Sequence, residues 1–376
     1  MRVQGDGAEG VDSAVKSEFG LAAGERVLVV KLADIGDLLT ATPALRALRE
    51  TFSSAEIDLL TTPSAAAVVP SRLVDRVYRM PRTLVQGPSG LSHFSALATT
   101  IRSRGYAAVL FLHHMTLKSG ALKYRLIAGM SQAPLSVGLD NGNGAWLSHR
   151  ARDEGFGAYH EVEYWLKVVG LLGATTENLE LEAQVTSSDR AWANDLLSDL
   201  GNRPLVTIHP GSGGYAMARR WEPEKWAVVG DALAECYGTQ VVLVGTAADG
   251  AERVSETMLQ PVLDLTGGTT LPQLAALLER STLFLGADSG VMHLAAAARV
   301  PIVALFGPSN HLAWAPWVPG GRVGIVRAQP FCSPCSYVEH SVGLRDGCWH
   351  RSCMADLQPE RVLAEVAQLG VLGQTG

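Results

Sequence analysis

Short apolar runs alternate with longer periodic stretches along most of the chain. Residues 27–31, 56–61, 76–79, 107–112 and 136–138 are brief, rich in Val and Leu, and read as strands. Between them, segments near 44–51, 92–103 and 118–128 repeat their apolar residues at helical spacing. Continuous apolar strands are buried on both faces, and strands that alternate with helices pair in parallel beneath them. Residues 161–173 form a strongly amphipathic helix that stops at a glycine.

The pattern then begins again. Residues 187–200 are helical, "PLVTIHPG" is a strand entering a glycine turn, and "QVVLVGTAADGAE" repeats that form. "LPQLAALLERS" is a helix, and "TLFLGADSG" and "VPIVALFGPS" are strands that end in turns. Two α/β halves joined near residues 186–190 are expected, and 376 residues suit about two domains. Ligands of such sheets bind outside the carboxyl ends of the strands.

Composition narrows the classes. With 47% hydrophobic and 18% charged residues the chain reads as soluble and globular. A net charge of −6 argues against nucleic acid as the main partner, although local basic clusters could meet an anionic substrate. Residues 1–24 hold Gly, Ser and acidic groups without an apolar core and read as a disordered leader. No apolar run reaches the ~18 residues of a membrane span. A cytoplasmic protein with at most peripheral membrane contact is expected.

Chemistry concentrates at the ends of the expected strands. In "VLVVKLADIGDLLTATPAL" a strand and turn lead into a helix expected near Asp37, so an aspartate stands where a bound phosphate is usual. Asp37 is either an N-cap or a base, with Asp34 as the alternative for both. "IHPGSGG" is a plain loop or a phosphate approach through Ser212 and Gly213. Arg219 and Arg220 in "ARRWEPEKW" are a solvated pair or a source of charge for phosphate. In "LGADSGVMHLAAA", the N–H groups of Ser289, Gly290 and Val291 open a helix with His293 in its first turn, which suits a diphosphate. The plainer reading has Asp288 as a cap and His293 as a core histidine. The chain holds no D-x-D, H-E-x-x-H, G-x-S-x-G or Walker lysine loop, and no G-x-G-x-x-G after the first strand.

Together, "VKLADIGDLLTATPALRAL", "HPGSGG…RRWEPEKWA", "VVLVGT…E", "DLTGGTTLPQLAALL" and "FLGADSGVMHLAAAARVPIVALFGPS" resemble glycosyltransferase family 9, the ADP-heptose:lipopolysaccharide heptosyltransferases and their relatives. The resemblance runs from about Val27 to Val366. It implies a GT-B fold, two doubly wound Rossmann-like domains facing across a cleft, and metal-independent inverting transfer from a nucleotide sugar. It also implies an acceptor-side domain over 26–187, a nucleotide-sugar domain over 188–354, and a terminal helix and tail over 355–376 that cross back to the first domain. By the same resemblance Asp37 is the base, while Asp288, Ser289, Gly290 and His293 seat the donor diphosphate and sugar. Arg219 stands where heptosyltransferases usually have lysine. The ribose position falls near Asp249, with Glu252 as the other candidate. "FLHHM" replaces the usual "D-L-Q-G", which makes His113, His114 and Lys118 the expected acceptor contacts.

The expected reaction moves a heptose or related sugar from a nucleotide-diphosphate donor, ADP-heptose favoured, to a saccharide, lipid-linked or natural-product acceptor. No cofactor is required. The alternatives are a GT-B epimerase or hydrolase, a natural-product enzyme with another nucleotide sugar, or a degenerate member that only binds. Late in the chain, Cys332, Cys335, Cys348 and Cys353, with His340 and His350 among them, resemble a structural zinc loop. The other reading is that these cysteines only order a loop. Cys236 is expected to be an ordinary buried thiol.

Overall fold

The computed structural model describes residues 21, 24–81, 87–212, 217–344 and 346–373. The expected leader therefore lies almost wholly outside the described residues, and so does Gly213. The first half runs β1 (Arg26–Lys31), α1 (Ile35–Leu39), α2 (Thr42–Thr51), β2 (Glu56–Thr61), β3 (Arg76–Arg79), α3 (Gly87–Ser103), β4 (Ala108–Phe111), α4 (Lys118–Ser131), β5 (Leu135–Asp140), β6 (His149–Arg152) and α5 (Glu161–Gly170). The second half runs α6 (Ser187–Leu197), β7 (Leu205–His209), α7 (Pro223–Tyr237), β8 (Gln240–Leu243), α8 (Ala251–Thr257), β9 (Val262–Asp264), α9 (Leu271–Leu278), β10 (Leu283–Ala287), α10 (Gly290–Ala297), β11 (Ile302–Leu305), α11 (His311–Trp314) and β12 (Val323–Val326). A small antiparallel hairpin, β13 (Ser336–Val338) with β14 (Ser341–Gly343), then α12 (Ser352–Ala355) and α13 (Pro359–Leu369), close the chain.

Each half is one six-stranded sheet whose paired strands are all parallel. The first sheet has the order β3-β2-β1-β4-β5-β6, and the second, β12-β11-β10-β7-β8-β9, is the same order read from the other edge. In both, the chain reverses direction across the sheet between two central strands: β1 and β4 in one, β7 and β10 in the other. The central strands are apolar because helices cover both faces; from its second residue on, β1 is wholly buried.

The sequence shows the central strands and the β3 edge, and misses other margins. β6 reads "HRAR" with alternate residues exposed, so it lacks an apolar run, and β9 is three residues long. The helix expected near Asp37 begins instead at Ile35 and is separate from α2. Two threonines end it, with Thr40 Oγ1 donating to the Asp37 carbonyl and Thr42 Oγ1 to that of Leu39, at 2.9 and 2.7 Å. Pro43 is the second residue of α2, in the first turn where its missing N–H costs nothing.

The last helix corrects the expectation that it crosses back. α13 packs on α7, β12 and β11 and buries Val362 and Val366 in the core of the second sheet. That flank holds Trp221, Trp226 and Leu357 and needs an apolar cover, which the stripe of α13 provides. Arg322 fixes its end by donating to the carbonyls of Leu369 and Gly370.

The halves meet where α1 faces α10. Gly36 and Gly290 are the point of closest approach: a Cβ on Gly36 would lie 2.7 Å from His293 Cδ2 and 3.1 Å from Gly290 Cα, and one on Gly290 would overlap the Ile35 side chain. Other contacts also tie the halves and the segment that connects them. His160 Nε2 donates to the Ala315 carbonyl at 2.9 Å, and buried Arg46 donates to the carbonyls of Asn178 and Glu180 in the connecting segment, both at 2.7 Å.

A methyl group should not fit at that contact. Gly36→Ala or Gly290→Ala is expected to lower stability by ~1–3 kcal/mol, the usual cost of overpacking, despite the better helix propensity of Ala. Urea midpoints test this, and an unchanged midpoint for both variants would mean that the two helix starts need not touch.

Candidate active site

One cleft of about 860 Å³ lies between the sheets, lined from both halves. Its walls come from the segments after β1 and β4 on one side and after β7, β8 and β10 on the other. These are the carboxyl ends at the two switch points, where doubly wound sheets bind ligands.

On the second-sheet side, Ser289 caps α10. Its Oγ accepts from Met292 N–H at 3.2 Å and shares a 3.2 Å hydrogen bond with His209 Nδ1. The hydroxyl is thus committed to the fold, and the free donors of this helix start are backbone N–H groups. α10 carries no acidic residue in its first turn. Arg219 Nη1 lies 3.0 Å from Asp288 Oδ2 at the same rim. His293 is buried and lines the cleft, and its Nδ1 has no hydrogen-bond partner among the described residues. Burial, against the pull of Asp288, lowers its pKa to about 4, so the ring is neutral near pH 7.

Asp249 faces this cleft but is turned inward. Its Oδ2 accepts from Thr246 N–H and Oγ1, both at 2.8 Å, and Oδ1 lies 3.4 Å from Arg220 Nη2. Burial pushes the carboxyl up, but His209 and then the Thr246 donors outweigh it and keep it well below its usual range. Gly211 is required beside it, since a Cβ there would overlap the carboxylate. Arg220 holds this loop by donating to Ser212 Oγ and the Ala248 carbonyl, so it is not simply a solvated residue.

On the first-sheet side, Asp37 sits in the first turn of α1 and lines the cleft. Asp34 holds the N-cap position, exposed and without a capping hydrogen bond. The Asp37 carboxylate makes no hydrogen bond or ion pair with the described residues, and it lies close enough to His293 to influence that ring. The cleft floor carries Lys31, buried at the end of β1. Its Nζ donates to the Leu112 carbonyl at 2.9 Å and sits 3.7 Å from the Trp165 ring centre.

His113 and His114 both reach the cleft, with different commitments. His113 Nε2 accepts from Leu32 N–H at 2.8 Å, and the ring stacks on Tyr124. His114 is clamped between two buried carboxylates, Nδ1 to Asp153 Oδ2 and Nε2 to Glu161 Oε1, each at 3.0 Å. Burial disfavours its charge, but Glu161 and Asp153 outweigh this and hold its pKa at about 9. Both ring nitrogens are therefore used internally, although the residue still lines the cleft.

Among the other expected site residues, Ser212, Gly290 and Val291 line the cleft with Ser289, whereas Lys118 and Glu252 are exposed outside it. Lys123, one turn along α4, lines the cleft where Lys118 was expected. Lys31, Glu161 and Trp165 are site residues that motif reading missed. A lysine ending an otherwise apolar strand was the signal for Lys31.

The late thiols gather near the hairpin. Burial, then the neighbouring thiols, pushes up Cys335 and takes Cys353 to about 11. None of the five cysteines is in a disulfide, and among the described residues no three His, Cys, Asp or Glu side chains are arranged to hold a metal ion. Cys236 corrects its own expectation: it faces solvent near the end of α7.

The profile of "Glycosyltransferase family 9 (heptosyltransferase)" matches residues 94–343. The chain belongs to glycosyltransferase family 9. Lipopolysaccharide heptosyltransferase 3 of Escherichia coli K12 is 28% identical over 294 residues, covering 75% of this chain and 82% of that protein. Among solved structures, the family 9 glycosyl transferase from Veillonella parvula superposes with a TM-score of 0.74 at 23% identity, covering 93% of this chain and 98% of that one. The E. coli ADP-heptose lps heptosyltransferase II gives 0.68 at 21%, covering 92% and 98%. The protein is a glycosyltransferase with the GT-B fold.

The His114 clamp gives this glycosyltransferase a pH signature. The folded pKa is raised from 6.5 to about 9. Its contribution is therefore complete below pH 6.5, fades as pH rises, and is lost above about 9. The difference corresponds to roughly 3 kcal/mol. Urea denaturation from pH 6 to 9 should show His114→Gln most destabilising at the acid end, with the gap to wild type narrowing as pH rises. A pH-independent gap would mean that His114 is neutral in the fold.

Proposed function

We propose that this glycosyltransferase moves heptose from ADP-heptose to a hydroxyl of a lipid-linked saccharide in one inverting displacement. The observation that carries the reading is the Asp37 carboxylate, without a hydrogen bond or ion pair to the described residues, lining the cleft beside Gly36 where α1 meets the start of α10. The donor class is supported by the name of the E. coli ADP-heptose heptosyltransferase II, and the acceptor class by that of lipopolysaccharide heptosyltransferase 3.

In the displacement the acceptor oxygen bonds to the anomeric carbon as the bond from that carbon to the β-phosphate oxygen breaks with its electron pair. The hydroxyl proton passes to Asp37. The nucleoside diphosphate leaves with one more negative charge, met by the N–H groups at the start of α10 and by Arg219. Neutral His293 adds one donor without adding charge. The chain has no D-x-D, so charge neutralisation is assigned to these groups. Asp249 is committed to its own loop, so the nucleoside is assigned to the wall at Thr246, Thr269, Leu271 and Leu274.

Asp37→Asn is expected to preserve folding and donor binding and to cut turnover by ~10²–10⁴, while Asp34→Asn does much less. Normal turnover by Asp37→Asn with its acceptor would remove Asp37 from the mechanism. Arg219→Ala should lower the rate by ~10²–10³, with lysine restoring part of it. In a thermal-shift panel of ADP-, GDP-, UDP- and dTDP-sugars, ADP-heptose should raise the Tm most, because it binds only the folded state. A stronger response to another sugar would reassign the donor.

A further inference from the structure

The cleft wall around His114 is aromatic, and the displacement makes no use of it. Phe156, from the loop after β6, lines the cleft and lies 4.4 Å from the His114 ring, centre to centre. Two rings of the second half join it: Trp314, the last residue of α11, and Tyr337, in β13. Phe156 is 5.3 Å from each of them, and they are 4.9 Å from one another. Trp314 and Tyr337 are half-buried, so each keeps surface for a ligand.

The backbone behind these rings is pinned. Buried Asn310 donates through Nδ2 to the carbonyls of Phe156 and Tyr337, both at 3.1 Å. Phe156 N–H donates to the Glu339 carbonyl at 2.7 Å, which ties the hairpin of the second half to the first. A Cβ on Gly157 would lie 2.4 Å from Asn310 Nδ2, so glycine is required there. Tyr337 itself has a φ of 57°, a left-handed backbone that a residue with a Cβ rarely adopts. Such conformations persist where the surroundings over-determine them, and they gather at ligand clamps.

Charge selects the occupant. From the first half the cleft is lined by Asp34, Asp37 and Glu161 and, among the described residues, by no arginine. The cations on that side are engaged: Lys31 with the Leu112 carbonyl and the Trp165 ring, His114 with Asp153 and Glu161. A carboxylate or phosphate brought here would face carboxylates and draw on cations that are costly to redirect. A neutral sugar ring has the matching chemistry. Its axial C–H groups form an apolar face that packs on an aromatic ring, while its hydroxyls stay at the edge for polar groups.

We propose that Phe156, Trp314 and Tyr337 form a stacking platform, built from both halves, for a neutral pyranose of the acceptor. Naming that sugar the acceptor rests on the proposed function; the binding of a neutral pyranose does not.

The test is saturation-transfer NMR on the full chain. The neutral probes are methyl α-glucopyranoside, methyl α-mannopyranoside and methyl β-galactopyranoside, and the anionic ones are glucose 6-phosphate and methyl glucuronide. Saturation is expected at the ring C–H protons of at least one neutral pyranoside, with weaker signals from both anionic sugars. Trp314→Ala and, separately, Tyr337→Gly should each weaken it by about tenfold. Glycine suits the left-handed backbone at 337, and an unchanged thermal melt separates lost stacking from lost folding. No saturation of any neutral pyranoside, equal saturation in the variants, or a stronger signal from an anionic sugar overturns the proposal. Neutral-sugar binding that both variants lose, in a chain that transfers nothing from any nucleotide sugar, would uphold the platform and remove the transferase reading.

Discussion

The contact of Gly36 with Gly290 is the constraint on which the cleft depends. Side chains at either position would separate the starts of α1 and α10, and these two helices carry Asp37 and His293. Glycine is the one residue that lets two backbones approach so closely. Because each glycine lies at the switch point of its own sheet, a contact of a few atoms brings the ligand-binding ends of both sheets into one space. Other links, such as His160 to the Ala315 carbonyl, Trp317 to that of Leu179 and Arg46 to that of Asn178, tie the halves and the connecting segment elsewhere.

Charge inside the cleft is distributed by commitment more than by residue type. Asp249, Asp288, Asp153 and Glu161 all have cationic or hydrogen-bonding partners in the protein, and Arg219, Arg220 and His114 are among those partners. A charge paired at about 3 Å in a buried setting is costly to redirect, because breaking the pair leaves the other member unsolvated. The groups left for a substrate are therefore few: the Asp37 carboxylate, the N–H groups at the start of α10, and the neutral ring of His293. Arg219 is a partial exception, since an arriving phosphate could share its fork of donors without displacing Asp288 entirely.

The sequence made the central strands legible because burial on both faces leaves an unbroken apolar run, as in β1, β4, β7 and β10. Edges such as β6 and β9 were not legible, since half-exposed or very short strands carry no such run. The motif residues Asp37, Arg219, Ser289 and His293 were recognisable from spacing and family likeness, and the fold brings them to one cleft. What spacing could not show was commitment. "HHM" looked like an open pair of acceptor contacts, yet His114 is consumed by Asp153 and Glu161, which are distant in sequence. Asp249 likewise lines the cleft where it was expected, and its carboxylate also caps the loop at Thr246, which spacing could not show. The path of α13 was missed because an amphipathic stripe says that a helix is covered without saying by which sheet.

The two sheets share one strand order, so their differences at equivalent places are informative. Both α1 and α10 follow a switch-point strand and start at the cleft. α1 already has Asp37 in its first turn, and that carboxylate meets the positive end of its own helix. α10 has no acid there; a serine hydroxyl takes up one N–H, and the acid just before it is paired with Arg219. A second anion would be repelled at the first terminus and attracted at the second. On the proposed mechanism the same local architecture would serve opposite ends of a transfer: the helix with its own carboxylate would meet a neutral hydroxyl that must lose a proton, and the helix without one a diphosphate that gains charge as it leaves.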